Sequence, residues 1–306
     1  MASIFDDLKR NFVTPNNALN QLIIINVVIY VILGLLSLFG EYGSDGIKTF
    51  AENQFTIPSN FMEFLGRPWT LLTYSFNHFT VIHILFNMLA LFWFGRLISE
   101  YLGSAKVVNL YVLGAISGAV VYLVAYNIVP QLVETNGIMR GASAAVFAIS
   151  VASATLLPDY RFYYPIIGPV KIKYIVGIYV IISLINSSSE RFDDNIGGNL
   201  AHLGGAGIGF LYIRGLQAGT DFGLWIQKFI EGVKSIFSSK PKIKVTYKKD
   251  KSKSAGSGSA SNSGSSSSTT KIEQDEIDRI LDKISEKGYE SLSKEEKQKL
   301  FNASKR

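Results

Sequence analysis

The sequence contains no cysteine. That absence excludes disulfides, Cys-ligated zinc, thiol catalysis and iron–sulfur chemistry. Histidine is nearly as scarce, with three residues in 306: His78, His83 and His202. Charged residues make up only 18 % of the chain, against 48 % hydrophobic ones. Mean hydropathy is positive at +0.23 although the last seventy or so residues are almost all polar. The first 216 residues are therefore far more apolar than the average, which predicts a membrane protein with a polar tail. The net charge is +6, and much of the excess lies in Lys240 to Lys253. Beside membrane spans this basic stretch reads as a flank on the inner side of a bilayer, not as a nucleic-acid site.

Six apolar runs stand out, at roughly 22–39, 79–98, 107–129, 141–157, 172–186 and 198–216. The first is too long for the apolar core of a signal peptide and lacks a small-residue cleavage site, so it reads as a transmembrane helix. The fifth is short, about 15 residues. The fourth is rich in Ala and Ser and the sixth in Gly and Ala. Small residues let membrane helices approach closely, so these two are expected inside the bundle, with the first and third facing lipid. Basic residues bias the topology. Lys9, Arg10, Arg96, Lys106, Arg161, Lys171, Lys173 and Arg214 fall on one side, against Lys48, Arg67, Arg140 and Arg191 on the other. The excess predicts both termini on the inner side.

The expected organisation is an all-α polytopic bundle over residues 1–216, then an interfacial amphipathic helix over 217–239. The helix is read from Phe222, Trp225, Ile226, Phe229, Ile230, Val233, Ile236 and Phe237 recurring at helical spacing. A basic and then Ser/Gly-rich flexible linker follows over 240–270. Residues 271–306 read as a small helical segment, with Ser293 and Glu296 as a capping box. Its apolar stripe, Ile277, Ile280, Leu281 and Ile284, suits a hairpin core or a contact for a partner. The segment from Glu41 to Pro68 reads either as a solvated loop or as a stretch lying in the outer interface.

Polar groups are costly in hydrocarbon, so each one there is a functional hypothesis. Ser143 opens the fourth run, and His202 lies about one turn, roughly 6 Å, into the sixth. His83 and Asn87 are four apart in the second, on one helix face. With both termini inside, all four sit at similar shallow depth on the outer side. A serine hydroxyl is a weak nucleophile until a base takes its proton, and neutral histidine is the usual base. Acyl transfer also needs donors for the developing oxyanion. Asn87, His83 and the Ser143 N–H at a helix start can supply them. No carboxylate is placed to orient His202, so the expected unit is a dyad. Phe147, one turn after Ser143, either stacks on the imidazole or packs in the core. Gly141 lets the backbone come close beside Ser143. Gly197, Ala201, Gly205 and Gly209 recur every four residues and would seat the sixth run on the fourth.

Four motifs carry a resemblance: Arg67-Pro-Trp-Thr70, His83-Ile-Leu-Phe-Asn87, Gly141-Ala-Ser-Ala144 and Ala201-His-Leu-Gly-Gly205. In this order the chain resembles the rhomboid intramembrane serine proteases over roughly residues 15–216, of the bacterial type with an extension on the inner side. The resemblance implies a six-helix bundle with a Ser–His dyad. It implies cleavage of other membrane proteins' helices near the outer face of the cell's inner membrane. Ser143 is then nucleophile, His202 base, and His83 and Asn87 oxyanion donors. Gly141, Phe147 and Gly205 support the site. The partners implied are transmembrane substrates and the bilayer, with no cofactor, no metal and no nucleic acid. The alternative is a non-catalytic relative that binds membrane helices. Two positions depart from the family pattern: Ala144 stands where glycine is usual, and Phe147 where tyrosine is common.

Overall fold

The computed structural model describes residues 17–42, 45–133, 135–164, 168–187 and 195–237. It also describes a few positions between 278 and 299. The chain divides into two units, residues 1–241 and 242–306. The described residues of the first are mostly helical. Its elements are α1 (Ala18–Tyr42), α2 (Asp45–Gln54), β1 (Ile57–Pro58), α3 (Phe61–Leu65), α4 (Thr70–Thr73), α5 (Val81–Leu102) and α6 (Ser104–Ile128). They continue with α7 (Pro130–Val133), β2 (Ile138–Met139), α8 (Ser143–Leu156), β3 (Arg161–Tyr164), β4 (Gly168–Lys171), α9 (Ile172–Ser187), α10 (Ile196–Gln217) and α11 (Leu224–Phe237). Each of the six apolar runs coincides with a helix. Three of those helices are long and apolar enough to cross a membrane by themselves, at residues 18–38, 81–102 and 104–128. The architecture is an all-α membrane bundle.

Local chemistry sets the helix ends near the site. Thr80 is extended and its hydroxyl accepts from the His83 N–H at 3.2 Å, which caps α5 and fixes His83 in its first turn. Gly103, at φ 89°, closes α5 and opens α6 in one residue. That backbone favours glycine, and the turn forces α5 and α6 to run antiparallel. Two short strand pairs tie the loops. β1 pairs with β2, bringing the segment after α2 against the approach to α8. β3 and β4 form a hairpin between α8 and α9. At its base Asp159 accepts from Lys171 at 2.8 Å and Lys173 at 3.0 Å, and these bonds hold its carboxyl down at about 2.

The inner layer is α6, α8 and α10, packed through small residues. A Cβ built on Gly205 or Gly209 of α10 would collide with the carbonyl of Ala144 or Ala148 in α8. On the opposite side, a Cβ on Gly118 or Gly114 of α6 would lie 2.5 Å from the Ala144 or Ala148 methyl. Ala144 and Ala148 are thus gripped between two glycine seams four residues apart. Hydroxyls add bonds from α6 to α10 and from α8 to α5. Ser117 Oγ donates to the Gly204 carbonyl at 2.8 Å, and Ser153 Oγ to the Phe94 carbonyl at 2.9 Å.

Three sequence expectations change. The third run, α6, faces the interior and not lipid: 56 % of its apolar window is buried, against 17 % for α1. Gly114, Ala115, Gly118 and Ala119 give it the small-residue stripe that admits α8. The lipid-facing role falls to α9, where Ile178, Ile181, Ile182, Leu184 and Ile185 are exposed. The stretch from Glu41 to Pro68 is mostly short helix. Asn60 caps α3 by accepting from the Met62 and Glu63 N–H groups. Gly197, the first member of the α10 seam, packs on Tyr122 and Tyr126 of α6 and not on α8.

In the second unit the capping box forms. Ser293 N–H donates to the Glu296 carboxylate at 2.7 Å, and Glu296 N–H donates to Ser293 Oγ at 3.2 Å. Lys283 donates to the same carboxylate at 2.9 Å, joining the two helical stretches. Ile280 is buried. Ile277, Leu281, Ile284 and the linker over 240–270 lie outside the described residues, as do Lys9, Arg10 and Arg191.

Candidate active site

Ser143 is the first residue of α8. Before it, Gly141 holds φ at 131°, a backbone that side chains rarely adopt. A Cβ at that position would lie 2.7 Å from the His83 ring. Glycine is needed there twice, for the turn and for the close approach of His83. Ala142 caps α8 without a side-chain hydrogen bond, so N–H groups of the first turn remain available as donors.

His202 lies in the second turn of α10, which Asn195 caps by accepting from the Gly198 N–H at 3.1 Å. The glycine seam brings α10 onto α8. His202 Nε2 and Ser143 Oγ then sit 2.8 Å apart, a hydrogen bond of ordinary length. The Phe147 ring stacks on the imidazole at 4.3 Å with 6° between planes, and Tyr179 meets Phe147 edge-on at 6.4 Å. The stacking seen as one option in the sequence is the arrangement adopted.

The sequence reading missed Ser183. Its Oγ lies 3.1 Å from His202 Nδ1. A neutral imidazole that accepts the Ser143 proton at Nε2 carries its own proton on Nδ1, which then donates to Ser183 Oγ. The available signal was the single serine of the apolar run 172–186, four residues after Tyr179 and on the same face. Ser183 is buried while its neighbours on the chain are exposed.

A cavity of about 480 Å³ opens beside Ser143. Its walls include His83, Asn87 and Phe86 from α5, Val146 and Phe147 from α8, and Tyr179 from α9. Asn87 is buried, and one of its N–H groups donates to the His83 carbonyl at 2.9 Å; the amide has a second donor. His83 stacks on Phe79 and meets His78 edge-on at 5.1 Å. Ser143, His83, Asn87 and Phe147 thus line one cavity, with His202 joined to Ser143 and Gly141 set against the His83 ring. Gly205 stands one layer away, against Ala144. Among the described residues no cluster of side chains could hold a metal ion.

The rhomboid domain model matches residues 65–218, half of the chain and all of the helices that build this site. The chain belongs to the rhomboid family. Two plant rhomboid-like proteins from Arabidopsis thaliana are similar to it. RHOMBOID-like protein 12, mitochondrial, is 34 % identical over 171 residues, covering 51 % of this chain and 50 % of the relative. Rhomboid-like protein 16, chloroplastic, is 30 % identical over 152 residues, covering 46 % of each. The rhomboid chain thus spans about half the length of these curated relatives. Outside the rhomboid domain, residues 267–306 match a family of unknown function (DUF6576).

Proposed function

We propose that this rhomboid is an intramembrane serine endopeptidase that cuts transmembrane segments of other membrane proteins. The observation that carries this reading is the 2.8 Å contact between Ser143 Oγ and His202 Nε2 at the edge of an apolar cavity. In the proposed reaction Ser143 Oγ attacks the scissile carbonyl carbon while its proton passes to Nε2. The carbonyl oxygen becomes an oxyanion, met by the second Asn87 N–H, by His83 and by the Ser143 N–H. The imidazolium then returns its proton to the leaving amine as the C–N bond breaks, leaving an acyl ester on Ser143. Water, deprotonated by His202, attacks the ester and restores the serine. Phe147 and Ser183 hold the ring, in place of a carboxylate.

In the same reading all six long helices, α1, α5, α6, α8, α9 and α10, cross the bilayer of an inner cell membrane. Both termini lie on the inner side and Ser143 near the outer face. Residues 217–239 lie at the interface, 240–270 form a linker, and 271–306 form a small module that meets a partner.

The test is direct. The purified protein is incubated with a panel of transmembrane substrates and, separately, with a fluorophosphonate probe that labels activated serines. Wild type is expected to cut and to label, and Ser143→Ala to do neither. Indistinguishable results for the two proteins sink the reading and leave a non-catalytic binder of membrane helices.

Two finer outcomes follow. Asn87→Ala is expected to lower kcat by about 10²-fold with KM little changed, the usual cost of one oxyanion donor. A steady-state assay showing the loss in KM alone would assign Asn87 to binding. Ser183→Ala removes one neutral hydrogen bond to Nδ1, worth about 1 kcal/mol, so cleavage slows roughly fivefold. Ser183→Thr keeps the hydroxyl and should recover most of the rate.

A further inference from the structure

Helix α11 lies outside the bundle and has three faces. Its inner face is docked. Ile226 is buried, and Gln227 donates to the Ala105 carbonyl at 3.1 Å and to Asn109. Just before the helix, Asp221 pairs with Lys106, accepts from Tyr212 at 2.9 Å and accepts from the Gly223 N–H at 2.9 Å. These bonds pin α11 to the start of α6 and the end of α10, at the end of the bundle opposite Ser143.

The second face is apolar and uncovered. Trp225, Phe229, Val233 and Ile236 are all exposed, Ile236 to 78 %. At 100° per residue they share an arc of about 80°. The third face carries Lys228, Glu231 and Ser235, also exposed. A helix in water would not keep four large apolar side chains on one arc, and a spanning helix would not carry the polar face. Helix α11 follows α10 after six residues, and its apolar arc begins with a tryptophan, a residue suited to the headgroup boundary. Between Leu224 and Lys253 the sequence places nine lysines against two carboxylates, Glu231 and Asp250. That charge matches a layer of anionic headgroups.

We propose that α11 is an in-plane anchor for an anionic lipid surface. Trp225, Phe229, Val233 and Ile236 rest on acyl chains, Lys228 and Lys234 meet headgroup phosphates, and Asp221 couples the anchor to α6 and α10. The proposal rests on the interfacial placement of residues 217–239 proposed above and deepens it, and it is independent of the catalytic step.

The absence of cysteine makes the test clean, because any introduced thiol is the single labelling site. Spin labels are placed on full-length Phe229→Cys and, separately, Ser235→Cys. The proteins are reconstituted into phosphatidylcholine vesicles containing about one-third phosphatidylglycerol. Collisions with oxygen report lipid, and collisions with a water-soluble nickel chelate report solvent. The label at 229 is expected to favour oxygen over nickel at least tenfold more than the label at 235. Equal preference at the two positions overturns the proposal. So does a label at 229 that neither reagent reaches, which would mean a second copy or the C-terminal segment covers the face. In vesicles without phosphatidylglycerol the 229 label should become shallower. An unchanged depth overturns the anionic part of the assignment.

Discussion

Replacing His202 with glutamine is expected to slow peptide-bond cleavage by about 10⁶-fold, the scale seen when a catalytic serine loses its histidine base. The reason lies in one contact. Ser143 Oγ has His202 Nε2 at 2.8 Å as its proton acceptor. Glutamine keeps a polar side chain of similar reach, but its amide takes up no proton near neutral pH. The hydroxyl then attacks unassisted, and the oxyanion donors alone support the residual rate. Labelling by the fluorophosphonate probe should fall in parallel, since it reads the same activation. The fold should persist, because the glycine contacts between α8 and α10 do not involve the imidazole. A His202→Gln protein that unfolds normally yet still labels would overturn the assignment of His202 as base.

The second large effect belongs to a residue that performs no chemistry. Gly205→Val is expected to destabilise the bundle by about 3 kcal/mol or more, at the upper end of the cost of overpacking. A Cβ at 205 would collide with the Ala144 carbonyl, which is main chain and cannot swing aside. The helices must separate, and separation moves His202 away from Ser143. Thermal unfolding in detergent should show a lowered midpoint, and probe labelling of Ser143 should fall at temperatures where the protein is still folded. Gly207→Ala is the control. It lies two residues along the same helix, where a Cβ meets nothing within 4 Å. Exchanging a mid-helix glycine for alanine there is expected to be neutral or slightly stabilising. Equal losses in both variants would mean the effect does not come from the contact with Ala144.

The helices of the bundle were legible because each apolar run is bounded by polar residues or glycine, and hydropathy alone reports that. The site residues were legible because His83, Asn87 and His202 are polar groups within apolar runs and Ser143 stands at the start of one. Helix α6 was misread for a complementary reason. Its large side chains, such as Tyr111 and Tyr122, suggest a lipid-facing surface, yet both are buried. The glycines and alanines between them decide the packing, and a seam in sequence does not name its partner. Gly197 makes the same point, turning to α6 although it repeats in step with Gly205 and Gly209. Ser183 was hidden because a single serine is unremarkable until the neighbouring ring nitrogen is known. The pairing of β3 with β4 lies inside a short connection between helices, which periodicity over a few residues does not resolve.

The length of α8 carries a consequence for how the chain enters a bilayer. Its 14 residues rise about 21 Å, well short of a hydrocarbon layer of about 30 Å. A helix that short would be mismatched if lipid surrounded it. Here α6 and α10 enclose it, so it is solvated by protein instead. Helix α10, with its glycines and an embedded imidazole, depends on its neighbours in the same way. The order of assembly follows: α1, α5 and α6 are apolar enough to partition on their own. The helix bearing Ser143 is retained only once the glycine stripe of α6 and the glycine seam of α10 both enclose it. Insertion and construction of the cavity are then a single event. A chain truncated after α8 should fail to hold that helix in the membrane.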